Sequence, residues 1–121
     1  MKVLALDYGS ARTGVAVSDP TGTVARPLGV VEHVREPDGF QKLLEVIRIE
    51  EPEEIVVGLP LTLQGEHGAQ ADETADFVAS LRDVLDIPVE MYDERFTSIL
   101  GADDDARAAA HLLSSYLEWR S

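Results

Sequence analysis

Cysteine is absent from the chain, which excludes a disulfide framework and any thiolate metal site and leaves no sign of an oxidising compartment. Basic residues are scarce: 10 Lys plus Arg stand against 23 Asp plus Glu, for a formal charge of -13. This balance argues against a surface that grips phosphates by its own net charge, and nucleic acid bound here needs the help of metal ions. The acidity also has a plain reading as solubility. Aromatics make up only 6% of the chain, and the single tryptophan, Trp119, lies near Tyr116 without a basic patch; both read as packing residues rather than a base-stacking platform. No apolar run approaches the length of a membrane span, and Asp7 interrupts the first run before a signal-peptide core could form. The expectation is a soluble, cytoplasmic protein whose 121 residues (1–121) form a single domain.

What is present is concentrated first in Met1 to Asp19, MKVLALDYGSARTGVAVSD. An apolar run from Val3 to Leu6 ends on Asp7, a polar turn holds Gly9 and Gly14, and a second apolar run from Val15 to Val17 leads to Asp19. Apolar residues without alternation predict a strand buried on both faces at the centre of a layered sheet. An unpaired carboxylate beside such a strand would cost several kcal/mol, so Asp7 requires a counter-charge, hydrogen-bond donors or a metal ion.

Further along, Pro20 to Gly22 is a turn, and Val24 to Glu32 fits a third strand completing an antiparallel meander. Within Gly39 to Glu50, Phe40, Leu43, Leu44 and Ile47 recur at helical spacing, predicting an amphipathic crossover helix before a fourth strand at Glu54 to Gly58. A polar loop with Gly65, His67 and Gly68 precedes a second helix over Ala71 to Leu85, a fifth strand over Pro88 to Tyr92, and a last helix from near Asp103 towards Trp119. The pattern predicts an α/β domain with strand order 3-2-1-4-5. Ligands in such sheets gather at the carboxyl ends of strands where the order reverses, so the expected crevice comprises Asp7, the loop from Leu59 to Gly68, and Glu94.

The last helix adds a third acid. Asp105 lies four residues before Ala109 and eight before Leu113, so it continues the apolar stripe, whereas Asp103 and Asp104 point away from it. On the helix alone, capping its start is the stronger reading of these acids. If Asp7, Glu94 and Asp105 converge, their like charges raise one another's pKa unless a cation neutralises them, and oxygen-only ligands favour Mg²⁺ or Mn²⁺. Such a centre would hydrolyse a phosphodiester backbone. Arg12 and Arg95 could hold a phosphate or pair with an acid; Thr97 and Ser98 could donate to a phosphate or cap a turn; Gly9 permits a turn or close ligand approach. Asp19, followed by Pro20, reads as a strand end, and no metal or acid-base role falls to His33, His67 or His111.

The segments LDYGSARTGVAVSD (Leu6 to Asp19), VVGLP (Val56 to Pro60), DERFTS (Asp93 to Ser98) and DARAAAHLLSSYL (Asp105 to Leu117) together resemble the YqgF (RuvX) family of pre-16S rRNA nucleases, related to Holliday-junction resolvases. The resemblance runs over essentially the whole chain. It implies a ribonuclease H-like fold with a five-stranded mixed sheet flanked by helices, and catalytic, metal-binding acids at Asp7, Glu94 and Asp105. It also implies cytoplasmic processing of the 5′ end of 16S rRNA, or cleavage of branched DNA. Members of the family usually carry a helix and a Lys/Arg-rich loop between DERFTS and the last helix, where this chain has only Ile99 to Asp104. A ribosomal partner or a second subunit, as in a homodimer, is then the expected source of positive surface. Two other readings compete: a non-catalytic module binding ribosomal or transcription components, and a phosphotransfer domain of the actin-like kind, which would need a second such domain around its nucleotide.

Overall fold

The computed structural model describes residues 1–59, 69–93 and 105–120. Its elements are β1 (Val3–Asp7), β2 (Arg12–Ser18), β3 (Ala25–Glu32), α1 (Pro37–Glu50), β4 (Glu54–Leu59), α2 (Ala69–Val84), β5 (Val89–Asp93) and α3 (Asp105–Arg120). Every expected element is present, with ends that shift by a few residues. The largest shift is at β2, which starts at Arg12 because Arg12, Thr13 and Gly14 pair with Glu32, Val31 and Val30 of β3 despite breaking the apolar run.

The strands form one five-stranded sheet in the order β3-β2-β1-β4-β5, as the sequence predicts. β1 runs antiparallel to β2 and parallel to β4, and β5 extends the parallel half. The register Leu6↔Val57 makes Asp7 and Gly58 neighbours at the strand ends. β3 is an edge strand, which is why Pro27 is tolerated there, beside a register shift opposite Val15 and Ala16.

Because side chains alternate across a strand, β1 feeds two cores. Leu4, Leu6 and Tyr8 pack with Val15, Ile55, Val57, Leu43, Ile47, Phe77 and Leu81 beneath α1 and α2. Val3 and Ala5 join Ala16, Val56, Ala109, Leu112, Leu113 and Tyr116 beneath α3. The same alternation sends Asp7 to the α3 face. The surface that receives α3 is paved with small residues, Ala5, Gly14 and Ala16, so the helix settles close to the sheet.

The far end of α3 is tied down by charge. Glu54, at the start of β4, is buried, and Tyr116 Oη donates to its Oε2 at 2.6 Å while Arg120 pairs with its Oε1. Both carboxylate oxygens are thus engaged, which offsets the cost of taking a charge out of water. Burial, then the neighbouring Glu54 carboxylate, pushes the Tyr116 hydroxyl up to about 12, so it remains a neutral donor. Trp119 departs from its reading as a packing residue: it is 69% exposed, touching Tyr92 and Tyr116 by ring contacts at 5.8 Å each, because it falls in the last turn of the helix on the flank. Asp19 ends β2 as expected, its Oδ1 accepting the N–H groups of Thr23 and Val24 at 2.8 and 2.9 Å. No helix among the described residues is long and apolar enough to cross a membrane.

Candidate active site

The site begins where β1 ends. Asp7 is half-buried on the α3 face and pairs across the antiparallel ladder with Gly14 of β2. Gly14 has no side chain for a reason of packing: a Cβ there would overlap the carbonyl oxygen of Asp105 and stand 3.1 Å from the Ala106 nitrogen. The first turn of α3 therefore rests on the bare backbone of β2, and Asp105 is delivered beside Asp7. Burial first, and then the charge of Asp105, pushes the Asp7 carboxyl up to about 6. The two acids are close enough to feel each other, and both keep partial access to solvent. An oxygen-donor pair of this kind, with charge left to neutralise, suits a hard divalent cation.

The turn between β1 and β2 is built to present Arg12. Thr13, fully buried, closes it: the Gly9 N–H donates to Thr13 Oγ1 at 3.4 Å, and the same hydroxyl donates to the Gly9 carbonyl at 3.2 Å. A Cβ on Gly9 would overlap the Arg12 carbonyl, so the glycine is accounted for by the tightness of the turn itself. The His33 N–H donates to the Ala11 carbonyl at 3.0 Å, pinning the turn to the end of β3. From this base the Arg12 side chain reaches α3, where its Nε lies 3.2 Å from Asp105 Oδ2.

On the other face of the sheet, Tyr8 stacks on Phe77 with centroids 4.8 Å apart and donates through Oη to Glu73 Oε1 at 2.6 Å. Burial, reinforced by Glu73, pushes its hydroxyl up to about 12. Arg35 Nη1 donates to the Glu73 carbonyl at 3.1 Å. This cluster ties α2 to the residue that follows Asp7. Sequence reasoning passed over it and over the packing role of Gly14, although a glycine inside a strand is a signal of close backbone approach.

Of the residues singled out from the sequence, the structure brings Asp7, Arg12 and Asp105 together, with Gly9 in the adjoining turn. Glu94, Arg95, Thr97, Ser98, Asp103, Asp104 and the loop from 60 to 68, with His67, lie outside the described residues. Among the described residues no group of three or more His, Cys, Asp or Glu is placed to hold a metal ion.

A mixed five-stranded sheet of order 3-2-1-4-5 flanked by helices is the architecture of ribonuclease H-like resolvases. The whole chain superposes on such enzymes. With Thermus thermophilus RuvC in complex with a Holliday junction substrate the TM-score is 0.63 at 20% identity, covering 99% of this chain and 95% of that one. With the fowlpox virus resolvase, bound to Holliday junction DNA, it is 0.64 at 11% identity, covering 99% of each. In sequence, residues 1–103 match the family model RuvX, described as Holliday junction resolvase, and the chain belongs to that family.

Among its relatives are two proteins provisionally named pre-16S rRNA nuclease. The one from Maridesulfovibrio salexigens is 41% identical over 104 residues, covering 86% of this chain and 77% of that protein. The one from Sulfurihydrogenibium sp. is 38% identical over 132 residues, covering 97% and 90%. That second alignment is longer than the 121-residue chain, so part of the relative has no counterpart here. The family match also stops at residue 103, just short of α3, so the position of Asp105 rests on the fold and not on the family match.

Proposed function

We propose that the protein is a metal-dependent nuclease that acts on structured RNA in the cytoplasm, trimming the 5′ end of precursor 16S rRNA, and that residues 1–121 serve as its single catalytic domain. The observation that carries this reading is the juxtaposition of Asp7 with Asp105 at the carboxyl end of the central strand, where burial and the charge of Asp105 push the Asp7 carboxyl up to about 6. The names borne by the relatives support the substrate, and the resolvase fold supports the reaction class.

Asp7, Asp105 and Glu94 would hold Mg²⁺ or Mn²⁺. Glu94 is included because it follows β5, whose Tyr92 pairs with Gly58 at the strand ends beside Asp7, and because the family resemblance implies it. Held there, such an ion would supply the chemistry of an activated water and of charge stabilisation on the phosphodiester. Asp7, pushed up by burial and by Asp105, would have to give up its proton to serve as a ligand. Arg12 and Arg95 would grip the phosphate oxygens, Thr97 and Ser98 would donate to them, and the bare backbone at Gly9 would let the substrate strand come near. With a net charge of -13, affinity for a long substrate depends on these few contacts and on a partner, a ribosomal protein or a second copy of the chain, that brings positive surface.

The test is cleavage of a precursor rRNA fragment and of a four-way DNA junction with Mg²⁺ or Mn²⁺. RNA cleavage that disappears in Asp7→Asn, Glu94→Gln and Asp105→Asn is the expected result; preference for the junction would move the reading to branched DNA, the substrate in the family's description. Cleavage undiminished in Asp7→Asn would remove the acid from the mechanism. Failure to cleave either substrate, together with no divalent-ion binding, would favour the non-catalytic module.

A further inference from the structure

Among the described residues, Arg12 is the cation paired with Asp105, the acid that neighbours Asp7. Its Nε stands 3.2 Å from Asp105 Oδ2, with the Arg12 side chain 60% exposed and that of Asp105 33% exposed. A divalent ion held by Asp7 and Asp105 would compete for the Asp105 carboxylate that Arg12 engages at Oδ2 and would repel the guanidinium at short range. A guanidinium does not shed its proton, so the conflict cannot be relieved by titration and has to be relieved by movement. The backbone is not free to move. The turn is held by Thr13 on Gly9 and by His33 on Ala11, whereas the exposed side chain has open solvent around it.

We propose that Arg12 is a displaceable counter-cation: it holds Asp105 while the site is metal-free, is driven off when a divalent ion binds, and is thereby released at the mouth of the crevice to take a substrate phosphate. The inference rests on the metal-centre reading above and adds an order of events to it. Metal loading precedes phosphate gripping, because the same guanidinium cannot serve both partners. Arg12 thus opposes metal binding while supporting substrate binding, and a variant lacking it separates the two.

The experiment is calorimetric titration of Mn²⁺ into the full chain and its Asp7→Asn, Arg12→Gln and Arg35→Gln variants. Alongside it, the arginine Nε–H resonances of ¹⁵N-labelled protein are followed during Mg²⁺ addition. Arg12→Gln is expected to bind Mn²⁺ about two- to fivefold more tightly, the range an exposed ion pair supports. The Arg12 signal should move from its paired to its free position with the calorimetric midpoint. Arg35→Gln removes the same charge from a side chain tied to Glu73 and should bind Mn²⁺ as the parent does. Mn²⁺ binding that is lost in Asp7→Asn but unchanged or weaker in Arg12→Gln, with a stationary Arg12 signal, overturns the exchange and leaves the metal centre standing. An equal gain in Arg35→Gln reduces the effect to bulk charge and also overturns it. No Mn²⁺ binding by the parent protein overturns the metal-centre reading and the exchange with it.

Discussion

The hydroxyl of Tyr116 meets Glu54 Oε2 at 2.6 Å, 62 residues away in the chain and at the opposite end of α3 from Asp105. Removing it in Tyr116→Phe leaves a buried carboxylate with Arg120 as its remaining partner. Hydrogen bonds to charged groups contribute about 2 kcal/mol, so thermal unfolding should fall by roughly 5–10 °C. Cleavage at 25 °C should be unchanged, because the active end of the helix is held separately. Scanning calorimetry and a cleavage assay on the same preparation check both halves.

Gly14→Ala addresses that other hold directly. The new methyl would overlap the Asp105 carbonyl, and the first turn of α3 must lift. Overpacking of this kind costs about 1–3 kcal/mol, and a catalytic group displaced by about 1 Å costs on the order of a hundredfold in rate. The expected outcome is a folded variant, judged by circular dichroism, with cleavage lost out of proportion to stability.

Asp7→Asn has a pH signature. The folded protein holds a proton on Asp7 up to about 6, whereas the unfolded chain releases it near the ordinary value of 3.8, so between these values the folded state binds more protons. Stability of the metal-free protein then falls as pH rises through that window. The neutral amide of the variant has no charge to bury and escapes the penalty. At pH 7.5 without metal the variant should be more stable than its parent, by up to about 3 kcal/mol, and the gain should vanish below about pH 3. Denaturant unfolding at the two pH values measures it; added Mn²⁺ should reverse the order by stabilising only the parent.

Salt dependence reports how many phosphates the protein neutralises. With two candidate arginines and an acidic surface, log affinity for an RNA substrate should fall with log salt at a slope of about -2 or shallower. Arg12→Gln should remove about one unit of that slope. A parent slope several units steeper would mean that further cations, from the chain or a partner, line the substrate path.

How far the sequence could be read depended on what decides each feature. Strand order and the pairing of helices with faces follow from apolar runs and helical spacing, so Val3 to Leu6, Ile55 to Val57 and the Leu43/Ile47 stripe were legible. The facing of Asp105 was legible too, since it continues the Ala109 and Leu113 row. The early start of β2 was not, because Arg12 to Gly14 are held by ladder pairing with β3 and carry no apolar signal. Glu54 looked like any acid at a strand start. Its burial depends on Tyr116 and Arg120, 62 and 66 residues away, and no local pattern announces partners at that distance. Gly14 was visible as a turn glycine, but its contact with α3 is a property of two elements meeting.

The bare seat at Ala5, Gly14 and Ala16 carries a consequence for how this lineage can change. Because α3 is located by what lies beneath it and by the Glu54 anchor behind it, the connection from β5 is relieved of the task of aiming Asp105. A change in the length of that connection over generations need not scatter the acids, because the seat and the anchor that locate the helix lie outside it.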